Sequence, residues 1–240
     1  MEILFTNRTQ FDLSQYEPRP ASEFLPEWYK KTESYVSPEG VMPAGTIGSK
    51  KPYFSNNSPA TIKKCLPVFD AITSGYMIVT PADIYIRKDA SGVFHYQWKL
   101  FGELVAFHPN NQAPLHPASQ NEEYPKLNNP WSIKTEKGWS CLFTQPMHQD
   151  LPFTIFPGIV DTDKYNVEVN FTFTIKDPNF EGLIPAGTPF AQVIPIKRES
   201  WKMKIGEKKD KENVLKQHHF VLSKFFDVYK DFFWDRKKYK

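Results

Sequence analysis

Between residues 167 and 175 the chain reads Val-Glu-Val-Asn-Phe-Thr-Phe-Thr-Ile, a strict alternation of apolar and polar side chains. A period of two gathers the apolar residues on one face only when the backbone is extended, so the stretch predicts a half-buried β-strand and argues against a helix. The same reading applies upstream. Tyr76-Met-Ile-Val-Thr and Asp83-Ile-Tyr-Ile-Arg read as strands, and Val93-Phe-His-Tyr-Gln-Trp alternates after a Lys88-Asp-Ala-Ser-Gly92 turn, which predicts a hairpin. A second turn, Thr135-Glu-Lys-Gly138, lies in a strand-rich stretch that runs from Trp131 to Ile196, whereas residues 108–130, polar and proline-rich, predict a loop. With 21 prolines and 15% aromatic residues, the composition suits short strands joined by turns and disfavours a helical bundle.

The two ends differ from this middle. Residues 1–60 are rich in Pro, Ser, Asn and aromatics, with Phe24-Leu-Pro-Glu-Trp-Tyr-Lys as a short amphipathic piece and residues 38–59 reading as an extended loop. At the other end, Val214, Leu215, Val221, Leu222, Phe225, Val228, Tyr229 and Phe232 recur at helical spacing. They predict one amphipathic helix of about 20 residues, started by the charged run Glu207-Lys-Lys-Asp-Lys-Glu. Phe225, Phe226, Phe232, Phe233 and Trp234 are too apolar to stay in water, so this segment is expected to bury against its own domain or a neighbouring subunit. A chain of 240 residues can bury a full core. The expected organisation is an arm over residues 1–64 packing on the core, a β core over 65–205 and the aromatic helix over 206–240.

The net charge of +3 conceals an asymmetry: residues 1–196 carry 16 Lys/Arg against 20 Asp/Glu, and residues 197–240 carry 14 against 7. Such a basic segment attracts nucleic acid, an acidic partner surface or an anionic membrane. A docked helix with a solvated lysine face accounts for it equally directly and is the reading adopted. Cys65 and Cys141 form no Cys-x-x-Cys pair, which argues against zinc and a disulfide framework and for a reducing compartment. The residues after Met1 lack a basic region followed by a long apolar core, and no apolar run approaches the roughly 18 residues that would span a bilayer. The expectation is a soluble, unsecreted protein. His108, His116 and His148 could in principle share a metal, but their spacing matches no short metal motif, and no metal site is expected. His218 and His219 are adjacent on the expected helix and cannot share a face.

Residues 158–165, Gly-Ile-Val-Asp-Thr-Asp-Lys-Tyr, precede the alternating strand, and Ile184-Pro-Ala-Gly-Thr-Pro-Phe-Ala-Gln-Val-Ile-Pro-Ile196 follows it. That order resembles the dUTPase and dCTP deaminase superfamily, in which a Gly-x-Ile-Asp-x-x-Tyr turn is followed by a β-arm and a Gly-x-x-Ile-Ala-Gln-Leu strand. Thr73-Ser-Gly-Tyr-Met-Ile-Val-Thr-Pro-Ala-Asp-Ile is similar to its early Ala-Gly-Tyr-Asp-Leu segment, and Glu136-Lys-Gly-Trp-Ser-Cys-Leu-Phe-Thr-Gln-Pro to its Pro-x-Gly-x-Tyr segment. The resemblance covers roughly residues 70–196 and implies a mainly β fold of the β-clip type. Such a fold is a distorted antiparallel barrel or sandwich that assembles as a trimer, here with an N-terminal arm and a C-terminal amphipathic helix. The whole chain also resembles a family of uncharacterised tailed-phage proteins sharing a Gly-Trp/Tyr-Ser-Cys-Leu-Phe and a Gly-Thr-Pro-x-Ala-Gln-Val-Ile-Pro core, which implies no activity. It does suggest the host cytoplasm or a virion as the setting.

Carried over residue by residue, the superfamily resemblance makes Asp161 the candidate base that orients water for attack on a phosphate. Tyr165 would pack on deoxyribose, and Gln192, Asp163 and Gly158 would lie in a nucleotide pocket, with Mg²⁺ as a cofactor only in that case. Several departures weigh against such chemistry. Lys164 lengthens the spacing from Asp161 to Tyr165 by one residue, and Asn166-Val stands where a glycine usually lets the chain turn. The Arg-Ser that grips phosphate is replaced by Gln145-Pro-Met-His148, which lacks a bidentate cation. An expected Asn falls among Phe153-Thr-Ile-Phe-Pro157, the deaminase's proton-shuttling Glu maps near Phe171-Thr172, and an aromatic helix stands where a Gly-rich arm would close. The plain alternative for Asp161-Thr-Asp163 is a polar turn whose carboxylates bond nearby backbone N–H groups. Two functions remain open: a non-enzymatic oligomeric module assembled through aromatic arms, and a divergent nucleotide site around Asp161, Tyr165 and Gln192.

Overall fold

The computed structural model describes residues 1–35, 60–99, 102–112, 116, 124–223 and 228–240. The expected extended loop over 38–59 and most of the loop expected within 108–130 lie outside the described residues. The chain divides into two compact units, one formed by residues 1–31, 71–198 and 239–240, the other by 32–70 and 199–238.

The paired strands of the first unit are all antiparallel. A five-stranded sheet is built from β2 (Arg19–Pro20), β3 (Tyr76–Val79), β9 (Trp139–Thr144), β11 (Gly158–Val160) and β14 (Pro189–Lys197), in the order β11-β9-β14-β3-β2. A four-stranded sheet has the order β10-β12-β7-β6, from β6 (Val105–His108), β7 (Tyr124–Leu127), β10 (Phe153–Ile155) and β12 (Phe171–Ile175). A three-stranded sheet orders β13 (Gly182–Ile184), β4 (Ile84–Lys88) and β5 (Phe94–Trp98), and β1 (Ile3–Asn7) pairs with β8 (Trp131–Thr135). Among the described residues no sheet closes into a barrel.

The alternation in β12 sends Phe171, Phe173 and Ile175 inward and leaves Thr172 and Thr174 half-buried. Phe190 of β14 stacks on Phe153 of β10 with centroids 4.4 Å apart and meets Phe173 edge-on at 5.2 Å, so the four- and five-stranded sheets join through aromatic rings. Tyr96 of β5 reaches Phe173 edge-on at 5.8 Å and brings in the three-stranded sheet. Offset and edge contacts of this kind satisfy the ring quadrupoles while burying the largest side chains available.

The hairpin expected at residues 88–92 is present. Asp89 and Val93 close it through an N–H···O bond of 3.0 Å, the Asp89 carboxylate accepts from the Ser91 and Val93 amides, and Gly92 takes a φ of 92°. Gly75 leads into β3 with a φ of 71°, and a Cβ there would lie 2.0 Å from the Val193 carbonyl oxygen. No side chain fits this approach of β3 to β14.

Three expectations are corrected. β7 lies inside the stretch expected to be a loop. Tyr124 and Leu127 are buried, and Pro125 is tolerated because pairing with β12 covers only Lys126 and Leu127. The strand expected from Val167 starts at Phe171. Before it, Glu168 makes a single bridge to Ser132, and the Asn170 side chain accepts from the Asn129 amide. In the second unit the single helix is instead α3 (Lys208–Leu222) and α4 (Val228–Phe232), following α1 (Glu27–Lys31) and α2 (Leu66–Thr73) in the chain. The charged run does start α3, where Glu207 and Asp210 form a reciprocal capping box. Phe220 packs edge-on against Phe232 at 5.2 Å. Even so, Val214, Leu222 and Phe232 stay well exposed, so burial against the chain's own domain does not occur for them. Phe225 and Phe226 lie outside the described residues. No described helix is long and apolar enough to cross a membrane.

Candidate functional site

The turn that follows β11 begins at Asp161, whose carbonyl accepts from the Lys164 and Tyr165 amides at 2.9 and 2.8 Å. This doubly closed turn faces the start of β9 and the residue just past β14, Arg198. The Arg198 guanidinium donates to both oxygens of Asp163, at 2.7 and 2.5 Å, and lies 3.2 Å from the nearer Asp161 oxygen. It also donates to the Trp139 carbonyl and the Ser140 hydroxyl, each at 3.1 Å. The Gly138 amide donates to the second Asp163 oxygen at 2.8 Å, and Ser140 Oγ donates to Asp161 at 2.8 Å. Two-pronged pairing of this kind fixes geometry as well as charge.

The electrostatics follow from those contacts. The Arg198 fork, then the Gly138 N–H, hold the Asp163 carboxyl far below the usual carboxylate range. The Ser140 hydroxyl, then Arg198, lower Asp161 as well. Arg198 is pushed up in turn by Asp163. The Asp163 side chain is 4% exposed and that of Asp161 46%. A carboxylate whose charged form is held this firmly is a weak acceptor for a proton from water, since base catalysis is most efficient when the pKa lies near the working pH.

The remaining candidate residues fall elsewhere. Gln192 is fully buried in β14. Its Oε1 accepts from the Met147 amide at 2.9 Å, and its Nε2 donates to the carbonyls of Ala71 and Ser74 at 2.9 and 2.7 Å. The side chain thus clips the loop after β9 to the end of α2, and its donors are turned away from solvent. Tyr165 is 53% exposed just beyond the turn. Gly158 sits opposite Phe143 in the β11–β9 ladder, with nothing within 4 Å of where a Cβ would stand. Asp161, Asp163 and Tyr165 therefore share one turn, and Gln192 belongs to a separate buried clip.

Arg198 and Ser140 organise this turn and were not among the residues singled out from the sequence. Arg198 is 35 residues from Asp163 and belongs to no local motif. Nearby, the Gln145 Oε1 accepts from the Ile155 amide while its Nε2 is buried without a partner. His148 takes a φ of 60°, and its carbonyl accepts from Trp28 Nε1 at 2.7 Å. His116 stacks on Phe156 at 4.0 Å. Among the described residues no three His, Cys, Asp or Glu side chains are grouped so as to hold a metal.

No family model and no curated protein matches the chain. Among solved structures it is similar to a mutant dUTPase from phage phi11 of S. aureus, with 11% identity and a TM-score of 0.31 over 56% of this chain and 84% of that one. It is also similar to the native dUTPase of EIAV, with 14% identity and a TM-score of 0.30 over 56% and 84%. A third is a mutant dUTPase of Staphylococcus bacteriophage 80alpha with dUpNHpp, with 12% identity and a TM-score of 0.31 over 56% and 76%. At these identities and TM-scores the chemistry of the turn has to be read from its own residues.

Proposed function

We propose that the chain is a non-enzymatic module with a distant β-clip resemblance, an accessory or virion-associated protein of phage type that acts as a homo-oligomer, with a trimer as the favoured state. The observation that carries the reading is the engagement of Asp161 and Asp163 by Arg198, Ser140 and Gly138, which makes the turn a staple between β9, β11 and the end of β14. Support for assembly comes from the second unit. Trp201, Met203 and Ile205 alternate with Lys202 and Lys204 and are each 86–87% exposed, and α3 and α4 add Val214, Leu222 and Phe232. Large apolar side chains in such density mark an interaction surface. In this reading a neighbouring copy covers them, its surface drawn by the excess of carboxylates over residues 1–196.

One observation favours a second reading, a divergent nucleotide site that would use Mg²⁺: Asp161 is nearly half exposed and Tyr165 stands beside it in solvent. The oligomeric reading is tested by sedimentation velocity on the intact chain and on a Met203→Ser, Leu222→Ser variant, whose changes touch exposed positions only. A trimer that dissociates in the variant is expected. An intact chain sedimenting as the 27.9 kDa monomer at all concentrations would sink the proposal.

A further inference from the structure

Two adjoining recesses in the β unit, of about 420 and 520 Å³, share Tyr85 and Lys99. Both lie within the size range of small-ligand clefts, roughly 300–1,000 Å³. Their walls follow from the register of the three-stranded sheet. Tyr85 of β4 sits directly across from Gln97 of β5, and Lys99 is two residues further on, so the period of two gathers these three on the outer face. Trp98, on the other face of the same strand, packs against the core and anchors this end of β5. Its Nε1 donates to the Gly102 carbonyl at 2.7 Å, which fixes the ring.

The second recess supplies the polar complement. Asp12 and Asp83 line it, and each carboxylate is oriented by one backbone N–H, from Ser14 at 3.0 Å and Ala186 at 2.8 Å. The Asp83 bond goes to Oδ1, and the Asp12 carboxylate is engaged by the Ser14 hydroxyl as well as its amide. Among the described lining residues, Lys99 as the cation stands against two carboxylates, a net charge of one negative. A phosphate would meet more repulsion than attraction, since phosphate sites are built from several convergent donors and cations. A purely apolar ligand would strand three charged groups. A group that both donates and accepts suits Asp12, Asp83, Lys99 and the Gln97 amide together, and a hydroxyl does both.

We propose that this double recess binds a neutral, hydroxyl-rich ring ligand, a pyranose unit of a saccharide. Its apolar face stacks on Tyr85, and its hydroxyls bond Asp12, Asp83, Gln97 and Lys99. The site lies on other residues than the Asp161 turn, so it stands whether or not that turn has a function.

The test is saturation-transfer NMR on the full chain with maltotetraose, cellotetraose and chitotetraose, beside thymidine and inorganic phosphate. The variants are Tyr85→Ala, which truncates an exposed ring, and Asp83→Asn, which keeps the acceptor for Ala186. Their thermal melts should match the parent's. At least one tetrasaccharide is expected to bind saturably, weakened about tenfold or more by each variant, while Tyr165→Ala binds as the parent does. Three results would each overturn the proposal: no tetrasaccharide saturating by about 10 mM, unchanged binding in Tyr85→Ala, or tighter binding of thymidine or phosphate than of any saccharide.

Discussion

Replacing Gln192 by leucine separates a structural amide from a ligand-binding one. Leucine keeps the side chain apolar and close in size, but the Met147 amide loses its acceptor and the Ala71 and Ser74 carbonyls each lose a donor. Three bonds at about 1 kcal/mol apiece put the loss near 3 kcal/mol, and more if the deprived groups stay dry. In a domain of this size that lowers Tm by about 6–12 °C. Urea unfolding of Gln192→Leu should therefore show a lower midpoint with the slope unchanged. Gln192→Glu adds a signed control. It keeps an acceptor for Met147, but an ionised carboxylate would face two carbonyls, so burial and those acceptors favour its protonated form. The folded-state pKa of the introduced carboxyl is thus raised above its unfolded value, and this variant should be most stable in acid and lose stability as pH rises. A loss below about 1 kcal/mol in Gln192→Leu, smaller than one buried hydrogen bond typically contributes, would refute the clip.

Other predictions follow from the staple and the core. Asp163 has a folded-state pKa depressed by Arg198, so its contribution is fully present above the unfolded value near 3.8 and is lost as pH falls through the folded one. The stability gap between the parent and Asp163→Asn should accordingly be flat from neutral pH down to about 5 and shrink below about 4, read by urea titrations at each pH. Phe190→Ala, which empties the centre of the ring cluster, should cost about 3–5 kcal/mol in the same assay. Gly75→Ala must move the Val193 carbonyl or abandon the positive φ, and calorimetry should show a lower Tm than for Gly138→Ala, where nothing stands within 4 Å.

The sequence signals that proved reliable were short-range ones. The run Phe171 to Ile175 and the Asp89 to Gly92 turn are specified by their own residues, through side-chain period and a capping carboxylate. Signals failed where a distant partner decides. Pro125 argued for a loop, yet Tyr124 and Leu127 find burial in a sheet whose strands β12 and β10 come from residues far along the chain. The alternation from Val167 to Asn170 continues into β12, but Asn170 turns its amide group to Asn129, a contact without local trace. The pairing of Arg198 with Asp163 was hidden in the same way, which is why a turn resembling a catalytic motif could be recognised while what holds its carboxylates could not. Helical spacing correctly placed α3, but spacing alone cannot tell whether an apolar face is covered by its own chain.

The most direct test of the proposal that the stapled turn is non-catalytic is ³¹P NMR of the intact protein with dUTP and Mg²⁺, run beside Asp161→Asn. The account predicts no pyrophosphate release above the protein-free rate in either sample. Mg²⁺-dependent release by the intact chain that disappears in Asp161→Asn would contradict it and establish Asp161 as a base.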